Sequence, residues 1–325
     1  MNLLQVGNIK YVGANQIQGN HAPEINESQW RLLAQGDSWF SIGGSIFGLG
    51  SLTPLPPNGS MLLAMRTAKS SIVVSAAYPG KTLEQMINPR QEVYFRRLIS
   101  GNLAHQFDAI LLSGGGNDFI DVAGIDPATT DPDLKSSRIL RTPAEWTADP
   151  GPEKYVFKDG WTKLLNRLLG YYAVLVRWRD GTAGEDAALY PNRGLPLFTH
   201  AYDYAQPRQA PVHVGPQQLG PWLWAPFNAN GIPEGDRDAL VKWFLDSLAQ
   251  FQGTLNANLA DPVLMNGNPV QNANIQPIDL HNTLTAARVD DIGISNDWEN
   301  EIHPTAGGYA KLASVFVSKL SPHLT

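Results

Sequence analysis

Apolar residues gather in five short runs, at 31–35, 71–77, 107–113, 195–202 and 275–280, each bounded by glycine, proline or polar turn residues. Their apolar positions are consecutive rather than alternating. That pattern belongs to strands buried on both faces. The run around Ile72, Val73 and Val74 is β-branched, which favours strand over helix. Between the runs lie stretches with helical spacing: 61–69, 82–105 with an interruption at Pro89, 161–179, 237–259 and 305–320. Strands alternating with helices predict an α/β fold, a three-layer α/β/α sandwich around a mostly parallel five-stranded sheet. The first 30 residues are polar and rich in Asn and Gln, and read as an N-terminal arm. Residues 31–325 read as a single domain, with loop insertions at about 121–153 and 204–236.

Composition narrows the classes. Apolar residues make up 43% of the 325, enough for a sizeable core. A net charge of −6 and the lack of any basic run argue against a nucleic-acid partner, whose phosphates need a basic surface. No stretch of roughly 18 uncharged apolar residues exists, so no transmembrane segment is expected. With no cysteine in the chain, disulfides and cysteine-rich metal sites are excluded. No histidine pair has the i, i+4 spacing of a helical metal site, so no metal is expected. The first residues hold one lysine and no apolar run of signal length, so a secretory signal is not expected here. Cytoplasmic residence, export without a signal, and a mature exported form all stay open.

Parallel sheets bind ligands at the carboxyl ends of their strands. Ser38 follows the first run in Gly36-Asp37-Ser38, Gly80 follows the second, and Asn117 follows the third in Gly115-Gly116-Asn117-Asp118. His303 lies just before the last helix. Taken singly, each has a plain structural reading. Ser38 and Asn117 sit where residues cap helices, and His303 could be a surface side chain. A serine needs a neighbouring base to act as a nucleophile, and an Asn amide can donate to an oxyanion. His200, at the end of the fourth run, is the main rival histidine.

Together, in the order Ser38, Gly80, Asn117, His303, these residues resemble the SGNH hydrolases, the GDSL esterase and lipase family. The resemblance runs from about Arg31 to the C-terminus. It is sharpest at Gly36-Asp37-Ser38, at Gly115-Gly116-Asn117-Asp118 and between Trp298 and Gly308. It implies a flavodoxin-like sandwich and an acyl-enzyme on Ser38, with His303 as general base and no cofactor. It also implies oxyanion donors from the backbone of Ser38 and Gly80 and the amide of Asn117. The chain departs from the family at one place: the acid expected three residues before the histidine is Asn300. Asn300 could orient the imidazole as a neutral partner, Asp297 could reach it instead, or a backbone carbonyl could serve. The expected activity is hydrolysis of short acyl esters, with a small-molecule, carbohydrate or lipid ester as substrate. A lipase or phospholipase on longer chains is the alternative, and a weakly active or inactive binding module is the third reading. The 42–58 loop could line an acyl pocket. The 121–153 and 204–236 loops could cover the site, the latter bringing Trp222, Trp224 and Phe227.

Overall fold

A computed structural model describes residues 4–17, 23–41, 59–182, 184–214 and 216–324. Its strands are β1 (Leu4–Val6), β2 (Ile9–Gly13), β3 (Trp30–Gly36), β4 (Ser71–Ser75), β5 (Ala109–Ser113), β6 (Leu197–His200), β7 (Val212–Val214), β8 (Gln217–Leu219) and β9 (Ile275–Ile278). The helices used below are α1 (Met61–Ala64), α2 (Leu83–Ile87), α3 (Val93–Ile99), α4 (Gly116–Ala123), α5 (Pro132–Ser137), α6 (Lys158–Asp180), α7 (Trp224–Ala229), α8 (Glu234–Ala260) and α9 (Ala306–Leu320).

The five expected strands are β3, β4, β5, β6 and β9. They run parallel in the order β4-β3-β5-β6-β9. Leu32, Leu33, Ile72, Val73, Ile110 and Leu111 have no exposure at all. This is why their runs read as continuously apolar. The sheet has seven strands rather than five, because residues 4–13, read as part of an arm, add β1 and β2 beyond β4. β2 is parallel to β4, and β1 closes the edge antiparallel. β1 faces solvent at the edge and buries none of its residues, and β2 beside it buries Ile9, Tyr11 and Val12. Helices flank the sheet, with α1 packed on α9, and with α2, α3, α4 and α8 packed around α6. The 82–105 stretch divides into α2 and α3 around Asn88 and Pro89. The 121–153 segment holds α5 and lines no part of the cavity described below. Instead, the hydroxyl of Tyr155 beside it donates to Asp236 on α8. No helix among the described residues is long and apolar enough to cross a membrane.

One close approach sets the geometry of the carboxyl edge. Gly36 ends β3 directly beside Ser113, the last residue of β5. A Cβ at Gly36 would lie 2.8 Å from the Ser113 Cβ and 3.0 Å from its carbonyl oxygen. Only glycine lets the two strand ends come this near. Gly36→Ala should therefore lower the unfolding free energy by about 1–3 kcal/mol. Urea denaturation reads this directly; a variant as stable as wild type would show that the strand ends are free to separate.

Candidate active site

The chain leaves β3 in a tight turn organised by Asp37. The Asp37 N–H donates to the Ser113 carbonyl (3.1 Å), and its carboxylate accepts the Trp39 N–H (3.0 Å). Ser38 stands at the crest of this turn, partly exposed. Its Oγ lies 2.8 Å from His303 Nε2. Trp39 turns inward, and its indole N–H donates to the Ile302 carbonyl at 3.1 Å. The Ser38 turn and the histidine loop are thus joined twice.

His303 sits in a short loop closed by a bridge between Trp298 and Pro304. The loop then passes into α9, whose N-cap Thr305 accepts the Gly308 N–H. Asn300 is buried inside it. Its Oδ1 faces the backbone N–H of Ile302 (3.1 Å), the backbone N–H of His303 (3.0 Å) and the imidazole Nδ1 (3.0 Å). The two backbone donors identify this atom as the amide oxygen. It can only accept, so Nδ1 carries the proton. Nε2 is then bare and accepts from the Ser38 hydroxyl. Asp297 does not reach the imidazole. Its carboxylate accepts from Lys311 Nζ (2.6 Å) and the Thr285 N–H (2.7 Å). A backbone carbonyl is not the partner of Nδ1 either. Desolvation pushes the His303 pKa down to about 4. The amide on Nδ1 carries no charge to oppose that.

The glycine loop and Asn117 close the other side. The Tyr78 N–H donates to the Gly36 carbonyl at 2.9 Å, which ties the loop after β4 to the Ser38 turn. Gly80, with φ +77°, lies in this loop with no atom near its Cβ position. Gly115, with φ +100°, turns the chain from β5 into α4. Asn117 lies in the first turn of α4, and its Nδ2 donates to the Lys81 carbonyl at 3.0 Å. Asp118 faces away and holds the Leu83 N–H at the start of α2 (2.8 Å). Ser38 and Asn117 share a cavity of about 50 Å³ whose walls include Phe119, Ile120, Leu223 and Leu245. Of the aromatics in the 204–236 segment, Trp222 meets the His303 ring edge-on, with centroids 5.4 Å apart. Trp224 is half-buried, and Phe227 is fully buried in the core. The 42–58 loop lies outside the described residues.

A second Ser–His contact lies beneath the first. His200 Nε2 is 3.0 Å from Ser113 Oγ, which donates to Asp37 at 2.8 Å; the Tyr202 hydroxyl also donates to Asp37. Ser113 and His200 have no exposure. His200 Nδ1 donates to the Ala201 carbonyl at 3.3 Å, so its Nε2 is bare, and the single Ser113 proton has both Nε2 and the Asp37 carboxylate as acceptors. Burial pushes Asp37 up to about 6 and His200 down to about 4. This network braces the Asp37 turn from below. Among the described residues, no group of three or more His, Cys, Asp or Glu could hold a metal ion.

No family model and no curated protein matches the chain. Among solved structures, an extracellular lipase from Streptomyces rimosus is 13% identical with a TM-score of 0.46, over 89% of this chain and 99% of that one. An aryl esterase from M. smegmatis is 15% identical with a TM-score of 0.43, over 91% and 100%. A carbohydrate acetylesterase from Sinorhizobium meliloti is 14% identical with a TM-score of 0.39, over 90% and 99%.

The structure thus gathers Ser38, His303, Asn300 and Asn117 at one edge, with the Gly80 loop beside them. Sequence reasoning names Trp222 only as one of three aromatics in a loop that could cover the site, and it does not find Glu301 behind the histidine. Glu301 binds only backbone N–H groups far away in the chain, which leave no side-chain signal. Replacing Asn300 with Asp puts a negative charge on Nδ1 and favours the imidazolium. In Asn300→Asp the His303 pKa should therefore move up, as read by NMR titration of the imidazole. An unchanged pKa would mean that Asn300 does not govern the ring.

Proposed function

We propose that this chain is a serine carboxylester hydrolase of the SGNH kind, acting through an acyl-enzyme on Ser38. The observation that carries this is the series Ser38–His303–Asn300, hydrogen-bonded at the mouth of a small apolar cavity. His303 Nε2 takes the Ser38 proton as Oγ attacks the acyl carbonyl. It then returns that proton to the leaving alcohol. Water attacks the acyl-enzyme by the same route in reverse. One Asn117 Nδ2 proton is held by the Lys81 carbonyl, which fixes the amide and leaves its second proton for the oxyanion. With the N–H groups of Ser38 and Gly80 this makes three donors, each worth roughly 3 to 4 kcal/mol at the transition state.

Asn300 supplies direction without charge. Its oxygen holds the tautomer that leaves Nε2 free, the part an Asn plays beside the catalytic histidine of papain-like proteases. The acyl side is read from the cavity. About 50 Å³ between Phe119, Ile120, Leu223 and Leu245 suits an acetyl or similar short group among the described residues.

The deciding experiment is labelling with a fluorophosphonate. Wild type and Ser113→Ala should label, and Ser38→Ala should not. Loss of labelling in Ser113→Ala alone, with the fold intact, would move the nucleophile to the buried pair. A wild type that does not label would leave the inactive binding module. Across 4-nitrophenyl esters, kcat/KM should peak at acetate. A rise past octanoate would make the chain a lipase.

A further inference from the structure

Glu301 is the one residue between Asn300 and His303, apart from Ile302, and it has no role in the chemistry above. Its side chain points away from the imidazole and is wholly buried. One carboxylate oxygen accepts the backbone N–H groups of Trp222 and Leu223, the latter at 2.9 Å, and the other accepts that of Trp224 at 2.6 Å. Its own N–H donates to the Ala210 carbonyl at 3.0 Å. Buried Arg208 braces the same loop by donating to the carbonyls of Asn300 (2.8 Å) and Asp291 (2.6 Å). Burial pushes the Glu301 carboxyl up to about 7. A charge held here against that penalty is anchored by the three backbone donors.

The anchored segment is also the one that reaches the site. Leu223 is a wall of the cavity that holds Ser38. Trp222 stands edge-on to the His303 ring, 5.4 Å away at 83°. His303 hands its proton to the departing alcohol, so a ring against His303 borders the path of that alcohol. A Gln at 301 would turn an NH₂ toward N–H donors and lose at least one of these bonds. The Ser38–His303 contact has its own supports, Asn300 and the Trp39 indole, and would stay.

We propose that Glu301 is a positioning residue for substrate fit. It pins Trp222, Leu223 and Trp224 against the Ser38–His303 pair, so that Trp222 flanks the alcohol half of the ester. This rests on the esterase reading above.

The test compares wild type, Glu301→Gln and Trp222→Ala on 4-nitrophenyl acetate and methyl acetate, together with labelling by a small fluorophosphonate. Fluoride, the leaving group of the probe, is too small to touch Trp222. Glu301→Gln should raise KM for the aryl ester at least fivefold, keep kcat within threefold, and label Ser38 at close to the wild-type rate. Trp222→Ala keeps every backbone donor to Glu301, so it should raise KM for the aryl ester more than for methyl acetate without loss of stability. Unchanged KM in both variants, or a fall in kcat alone, overturns the proposal and leaves the esterase standing. If Glu301→Gln does not fold, Trp222→Ala decides by itself. If wild type neither labels nor hydrolyses, the esterase reading has failed rather than the role of Glu301.

Discussion

Ser38 and His303 are 265 residues apart in the chain and meet at 2.8 Å. Nearly everything distinctive in this structure serves that meeting. The parallel sheet brings the ends of β3 and β5 to one edge, and the Gly36–Ser113 approach keeps them close. From there the Trp39 indole reaches across to the Ile302 carbonyl. Its ring packs against Tyr202, Trp298 and Tyr309 at centroid distances of 5.0, 6.5 and 6.0 Å. Aromatic burial of this kind offsets the entropy of fixing a distant loop. For the proposed chemistry, a pair held in contact before substrate arrives has that ordering already done.

Charge is kept one layer behind the reacting atoms. Ser38, His303, Asn300 and Asn117 are all neutral in the resting arrangement. The nearby carboxylates, Asp37 and Glu301, are buried and point away from the imidazole. Each is held by backbone N–H or hydroxyl donors rather than by a direct cation contact. Desolvation pushes both upward, to about 6 and about 7. Their hydrogen bonds are directional, so each fixes a turn: Asp37 the turn that carries Ser38, Glu301 the turn that carries Trp222. Removing either would leave several donors without their partner, backbone N–H groups at Glu301 and mostly hydroxyls at Asp37, at ~1–3 kcal/mol for each one buried.

What the sequence discloses follows from where each residue finds its partner. The five inner strands are legible because burial on both faces leaves unbroken apolar runs, as at Ile72-Val73-Val74. β2 is not, because next to the edge strand it buries only Ile9, Tyr11 and Val12, interleaved with polar and glycine neighbours. Ser38 and Asn117 are legible because strand-end turns have short signatures, His303 because it stands just before Pro304 and the last helix, and Asn300 because it keeps a fixed spacing to His303. Asp297 has a comparable spacing, yet Lys311 and Thr285 hold it elsewhere, and no periodicity announces that. The Asp37–Ser113–His200–Tyr202 network joins the ends of separate strands and the segment after β6. Glu301 bonds to the backbone of a segment 77 to 79 positions away in sequence. Contacts of this sort depend on topology, not on local pattern.

The neutral partner on Nδ1 has a consequence for the proposed chemistry. An imidazole whose pKa is about 4 stays unprotonated well below neutrality. It is available to Ser38 over a wide acidic range. It is also a weaker base, so drawing the proton from Ser38 is slower than it would be with a carboxylate behind the ring. The same weakness makes the imidazolium a stronger acid. It returns the proton to the departing alcohol more readily. An amide at 300 therefore shifts the burden from the attack toward the oxyanion donors, while easing departure of the alcohol. It also places more weight on the fixed Asn117 amide and on a well-held alcohol side, where Trp222 stands.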